Sequence, residues 1–335
     1  MNSAYAIHSA KAGSREPHAT SVLTARRSPR ISGISRATRH SLVATAFFFS
    51  LSLHSQTLLV PPTGSPQQPH FNPVFMARNR VAEIKGQLHV KREGEPMVAR
   101  NERYWYRFDS NGLPWYSNNS FGQPGSGRDT ASTGYRYDAK GDLLQRMRLD
   151  LSGHYSEEFE LDSAGRPLRE THVRIENLGT DRYNLVPGTR TEVSDERFRY
   201  DALNDSTQRT TFYNSLALPY RERLFISDHH GYLRTIEDRY IVTGRMGRTT
   251  FTYNEKGLLA SRTEHADLAD PRTTRYTYAY DATDNLLGMD TWQSDKLVTK
   301  EEYVYADGSL HLKAKLTKDM ATGTIRVVRY EVVGR

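Results

Sequence analysis

Tyr135-Arg136-Tyr137-Asp138-Ala139-Lys140-Gly141-Asp142-Leu143-Leu144 carries the pattern from which the architecture is read. Two aromatics stand one and three residues before an Asp, which is followed after two free positions by Gly and then, two residues on, by Leu. An Asp at the first position of a type I turn accepts hydrogen bonds from backbone N–H groups within the turn. A Gly at the fourth position takes the left-handed conformation that closes a three-residue hairpin loop with a bulge. The stretch is therefore a hairpin tip. Spacing of two puts Tyr135 and Tyr137 on one face of the incoming strand, and the register of such a hairpin sets Leu143 opposite Tyr137.

Outward from this tip the pattern recurs in both directions. Copies read Phe108-Asp109 with Gly112, Leu161-Asp162 with Gly165, Tyr200-Asp201 with Asn204, Ser227-Asp228 with Gly231, Tyr253-Asn254 with Gly257 and Tyr280-Asp281 with Asp284. A shortened copy spans Tyr303-Val304-Tyr305-Ala306-Asp307-Gly308. Recurrence of one unit at steps of 24 to 39 residues is the mark of a repeat architecture. The faces differ as well: Thr274, Tyr276, Tyr278 and Tyr280 alternate with Thr273, Arg275, Thr277 and Ala279, so one face is built for burial and one for water. The expected fold is all-β: antiparallel tandem β-hairpins forming a long twisted, curled sheet, an open meander or spiral, since strand twist accumulates. Its two end strands would be unpaired and open to edge-to-edge self-association.

The net charge of +7 belongs almost wholly to residues 1–55, where seven basic residues face one Glu, so the remainder stands at +1. Bulk charge thus gives no reason to expect nucleic acid as a partner. The basic opening leads into a twelve-residue apolar run, Leu42 to Leu53, then His54-Ser55-Gln56. That order is the grammar of a secretory signal, with cleavage near Ser55, and the run is too short to be a transmembrane segment. An Arg-rich, Ser-rich start is also compatible with an organellar transit peptide. With no Cys there is neither a lipid-anchored lipoprotein nor a disulfide framework. The expected product is extracytoplasmic, periplasmic or secreted. Residues 56–100 read as a Pro-rich linker and lead-in, exposed over 56–75, and residues 101–335 as the repeat domain.

Tyr135 to Leu144 and Phe251 to Leu259 resemble the YD repeats of bacterial Rhs proteins and of the teneurins, and the resemblance covers about residues 101–310. It implies a β strip that spirals into a shell and acts at cell surfaces, in some members with carbohydrate or protein partners. This chain would be a short member, without the Arg-Tyr-Tyr-Asp-Pro type core or a toxin region after Tyr305.

Catalytic signatures are absent: no His-Glu-x-x-His, no Gly-x-Ser-x-Gly and no Walker lysine after a glycine loop. Gly122 to Gly127 reads as an ordinary loop. His229-His230 beside Asp228 has imidazoles for a metal, and Asp281 with Asp284 has oxygens for calcium, but both lie at hairpin tips where such residues cap turns. No metal and no cofactor are expected. Trp115 with Tyr116 follows a turn and is the candidate for ligand-facing aromatics. The reading that results is a noncatalytic scaffold or binding module engaging an envelope protein or glycan. The alternative is a periplasmic carrier holding a lipid or other apolar ligand in a curled, aromatic-lined sheet.

Overall fold

A computed structural model describes residues 56–66, 68–120, 130–150 and 152–335; the leader expected over 1–55 and the glycine loop lie outside these. Among the described residues, a short ladder of β1 (Leu58–Leu59) with β2 (His70–Phe71) and a helix, α1 (Pro73–Arg78), precede the main sheet. The sheet begins with β3 (Val81–Lys91), β4 (Val98–Phe108), β5 (Pro114–Ser120), β6 (Ser132–Tyr137), β7 (Leu143–Asp150), β8 (Gly153–Leu161) and β9 (Pro167–Asn177). It continues through β10 (Pro187–Asn204), β11 (Thr207–Tyr213), β12 (Pro219–Ser227), β13 (Leu233–Tyr240), β14 (Met246–Tyr253) and β15 (Leu259–His265). It ends with β16 (Thr274–Tyr280), β17 (Leu286–Gln293), β18 (Lys296–Tyr305), β19 (Leu312–Asp319) and β20 (Ile325–Gly334). Each of these strands pairs antiparallel with its sequence neighbours, and β20 pairs with β3 from Ile325↔Lys91 to Gly334↔Val81.

The sheet is therefore a closed barrel, which corrects both the open spiral and the YD-repeat resemblance that suggested it. The expected repeat domain left β3 outside, and β3 is the strand that closes the ring. Closure pairs the two edges that an open strip would have exposed, so the expected route to edge-to-edge association is gone. Gly86 sits at this seam for a steric reason: a Cβ there would come within 2.8 Å of Val328 Cγ1 and 2.9 Å of a Tyr330 ring carbon.

Within the barrel the repeat has a clear physical role. Asp109, Asp138, Asp162, Asp228, Asn254 and Asp281 each accept, through Oδ1, the backbone N–H groups two and four residues ahead. The residue at the fourth position has positive φ in each: Gly112, Gly141, Gly165, Gly231, Gly257 and, without glycine, Asp284 at 68°. Because strands alternate direction, these tips all fall on one rim. Asp201 departs from the rule: it lies inside β10, opposite Arg209, and the chain turns three residues later between Asn204 and Thr207.

Strand periodicity separates the two faces of the wall. Ile84, Leu88, Tyr104, Tyr106, Tyr276, Tyr278, Met289, Tyr303 and Tyr330 share the inner face, on which the N-terminal segment packs. The outer face is laced with ion pairs: Glu83–Arg107 at 3.2 Å, Asp195–Arg169 at 2.7 Å, Asp201–Arg209 at 2.9 Å and Glu237–Arg248 at 2.9 Å. Each such arginine at the midplane of a bilayer would cost about 2–4 kcal/mol, which argues against a lipid-facing band on this wall.

Candidate functional site

The inner wall divides into an aromatic sector and a charged one. The aromatic sector runs over β13–β20, β3 and β4, and a ladder of hydroxyl bonds runs through it and on into the rest of the wall. Tyr137, Tyr200, Tyr253, Tyr280 and Tyr305, each next to the Asp position of its repeat, donate to the carbonyls of Pro114, Pro167, Leu233, Leu259 and Leu286 at 2.7–2.9 Å. Every acceptor lies five residues past the Asp or Asn of the preceding hairpin, so the tyrosine locks one repeat onto the last. The ladder is interrupted where Leu161 and Ser227 replace it. Burial pushes these phenols up, Tyr253 to about 12 and Tyr278, Tyr280 and Tyr305 further. They are neutral hydrogen-bonding rings, not acids, at any physiological pH.

Residues 56–79 cover this sector. The stretch expected to be an exposed linker buries Thr57, Leu58 and Phe71, and α1 buries Phe75 and Met76. Phe71 meets Tyr106 and Phe108 edge-on at 4.9 and 5.3 Å, and Val60, like Tyr278 of the wall, packs against the Leu233–Ile236–Phe251–Leu259 cluster. Polar ties fix the segment. Arg262 donates to the Gly64 carbonyl at 2.6 Å, Thr57 donates to the Leu310 carbonyl, and Asn72 caps α1 while donating to Gln56 O at 2.9 Å. Gly112 belongs to this contact, because its φ is +78° and a Cβ there would collide with the Pro73 carbonyl. Between the segment and Tyr278, Leu286, Met289 and Tyr303 a cleft of about 20 Å³ remains, room for about one water molecule.

The charged sector lies on β7–β12 and the end of β13 that carries Asp238. Arg221 and Arg223 converge on Asp238 at 2.5 and 2.9 Å, Arg146 pairs with Glu157, and Tyr220 donates to Glu196 at 2.6 Å. Glu170 faces Glu196 in the strand register, and burial, then the charges of Glu157 and Glu196, raises its carboxyl. Nearer the seam, buried Glu301 takes Lys315 at 2.9 Å and the Tyr303 hydroxyl at 2.8 Å. Among the described residues no group of three His, Cys, Asp or Glu is placed to hold a metal ion.

The turn residues form a rim, not a site. Their carboxylates are consumed by the backbone; at Asp138 the N–H of Asp142 is the main cause holding the carboxyl below its usual range. His229 and His230 stack at 3.7 Å at a tip. Trp115 and Tyr116 are brought together on the outer face, with Trp105 6.3 Å from Tyr116 and the Arg107 guanidinium 3.9 Å from Trp105 and 5.5 Å from both others. Sequence reasoning had the inner aromatics as core, but missed the segment over them. The available signal was the apolar series Leu58, Leu59, Val60, Phe71 and Phe75 threaded among the prolines.

No family model and no curated protein matches the sequence. Among solved structures the chain is similar to a porin-like protein from Bacteroides uniformis, at 13% identity and TM-score 0.36 over 76% of this chain and 98% of that one. It is also similar to a LolA superfamily protein from Nitrosomonas europaea (10%, TM-score 0.17, 77% and 88% covered) and a DUF1329 family protein from Desulfovibrio piger (11%, 0.22, 77% and 88%). Scores this low describe partial overlap of β walls and identify no relative.

Proposed function

We propose that this protein is an extracytoplasmic, noncatalytic binding barrel that takes an elongated apolar ligand along the aromatic sector of its inner wall. The observation that carries the reading is the occupant already there: an extended, proline-containing stretch of the chain's own N-terminal segment lies on Tyr278, Met289 and Tyr303 and leaves a cleft of about 20 Å³ between them. A wall that holds Leu58, Val60 and Phe71 offers the same apolar contact to an acyl chain or other elongated hydrophobe. Its phenols and the Arg262 guanidinium can meet a polar end. The basic leader with its twelve-residue apolar run supports export. A polar, ion-paired exterior suits a barrel that lives in water.

Native mass spectrometry of the chain purified from a periplasmic fraction tests this. A stoichiometric lipid or other apolar adduct, lost on delipidation and regained on re-addition, is the expected result. A chain that never carries or regains such an adduct overturns it. A second reading, engagement of an envelope glycan or protein, is favoured by Trp115, 43% exposed beside Tyr116 on the outer face; a glycan titration that shifts Trp fluorescence would support it.

A further inference from the structure

The contact between the covering segment and Arg262 narrows the chemical class of the ligand. Arg262 stands on the inner face of β15, with Phe251 opposite it on β14 and Tyr276 opposite it on β16. Phe251 belongs to the cluster that Val60 packs against, and Tyr276 to the one that holds Leu58, Phe71 and Phe75. The arginine is thus rooted between members of both apolar clusters, and its side chain is only 14% exposed.

Its guanidinium is divided among three surroundings. Nη1 donates to the Gly64 carbonyl of the segment at 2.6 Å, Nη2 pairs with Glu264 at 2.6 Å, and Nε is buried without a hydrogen-bond partner. Glu264, two residues along the same strand, shares the inner face. The positive charge is therefore balanced within the wall, and what the segment adds is one neutral oxygen. Gly64 itself is exposed, between β1 and β2, and adopts φ 106°. When the segment leaves, Nη1 loses its acceptor while Glu264 stays. A buried donor left unpaired is costly, so an occupant that returns a neutral acceptor to this point is favoured over a bare hydrocarbon. An anionic end gains less, because it meets the charge of Glu264 as well as that of Arg262.

We propose that the ligand of the inner wall is a neutral acyl ester and that Arg262 selects it, Nη1 donating to the ester carbonyl in the place that the Gly64 carbonyl now holds. The acyl chain takes over the apolar contacts of Leu58 and Val60, and Nε is a second donor that the covering segment leaves unused. The inference rests on the apolar-ligand reading and narrows it to one chemical class.

Three probes of matched chain length test it, each competing with an apolar fluorophore for the protein purified from a periplasmic fraction: monopalmitoylglycerol, its ether analogue hexadecylglycerol, and ionised palmitate. The ester and the ether differ only in the carbonyl. The wild type is expected to bind the ester at least about fivefold more tightly than the ether or palmitate, an amount within the reach of one hydrogen bond from a charged donor. Arg262→Met should bring ester and ether to within about twofold of each other while the ether still binds, whereas mere loosening of the fold would lower both alike. Glu264→Gln should raise palmitate at least to the level of the ester. Ether or palmitate bound as tightly as the ester by the wild type, an ester preference that survives Arg262→Met, or palmitate binding that Glu264→Gln leaves unchanged would each overturn the inference and leave the apolar-ligand reading standing. Binding of none of the three probes would overturn both.

Discussion

Single positions show where this wall stores its stability. Tyr280 donates to the Leu259 carbonyl at 2.8 Å from a largely buried ring, so Tyr280→Phe keeps the packing and strands that carbonyl. Removing one partner of such a bond costs about 1–3 kcal/mol, and the loss should appear as a lower midpoint in urea unfolding with an unchanged slope. Gly112→Ala should cost at least as much, because it combines positive φ with a collision against Pro73 O; exchange protection should fall in α1 before it falls in the sheet. Glu170 gives the opposite sign. Its raised carboxyl means that the folded state binds a proton more tightly than the unfolded chain, so this group's contribution falls as pH rises through the window between the two values. Glu170→Gln removes the cross-strand repulsion with Glu196. It should stabilise the protein at pH 7 by a few tenths to about 1 kcal/mol, a gain that shrinks as pH falls and the wild-type carboxyl takes up its proton.

At the level of elements, the hairpins were legible and the closure was not. The Asp turn is a local device, written in five consecutive residues whose side chain and backbone satisfy one another, so the tips at Asp138, Asn254 and Asp281 stand where the pattern placed them. The tip at Asp201 misled because its residues match the motif while β10 runs on past Tyr200, whose hydroxyl still reaches Pro167. The turn at Asn214 escaped because Ala217 stands where glycine would announce positive φ. Closure is nonlocal: β3 carries only Ile84, Leu88 and Val90 as apolar signal on one face and glycine at 86, and its partner lies at the far end of the chain. The covering segment was hidden by composition, since prolines at 61, 62, 66 and 69 are compatible equally with a linker and with an extended strap whose aliphatic side chains are buried. Ending the chain short of β20, after Gly323, should open edges on β3 and β19 at once and yield an aggregating product on size exclusion.

For the molecule as a whole, the two faces of one sheet differ in chemistry. The outer wall pairs its charges, while the aromatic sector of the inner wall gathers tyrosine hydroxyls, a methionine and aliphatic side chains beneath a strap made from the same chain. On this account the strap is the resident occupant of a site that an apolar ligand shares with it, and its release is what binding requires. The absence of cysteine in the sequence makes a direct trial possible: Val60→Cys with Tyr278→Cys sets one thiol on the strap and one on the wall, both lining the same cleft. Titration of this variant with an environment-sensitive apolar fluorophore, oxidised and then reduced, is the most telling measurement. The account predicts saturable binding in the reduced protein and little in the oxidised one, restored by reductant; equal binding in both states would contradict it.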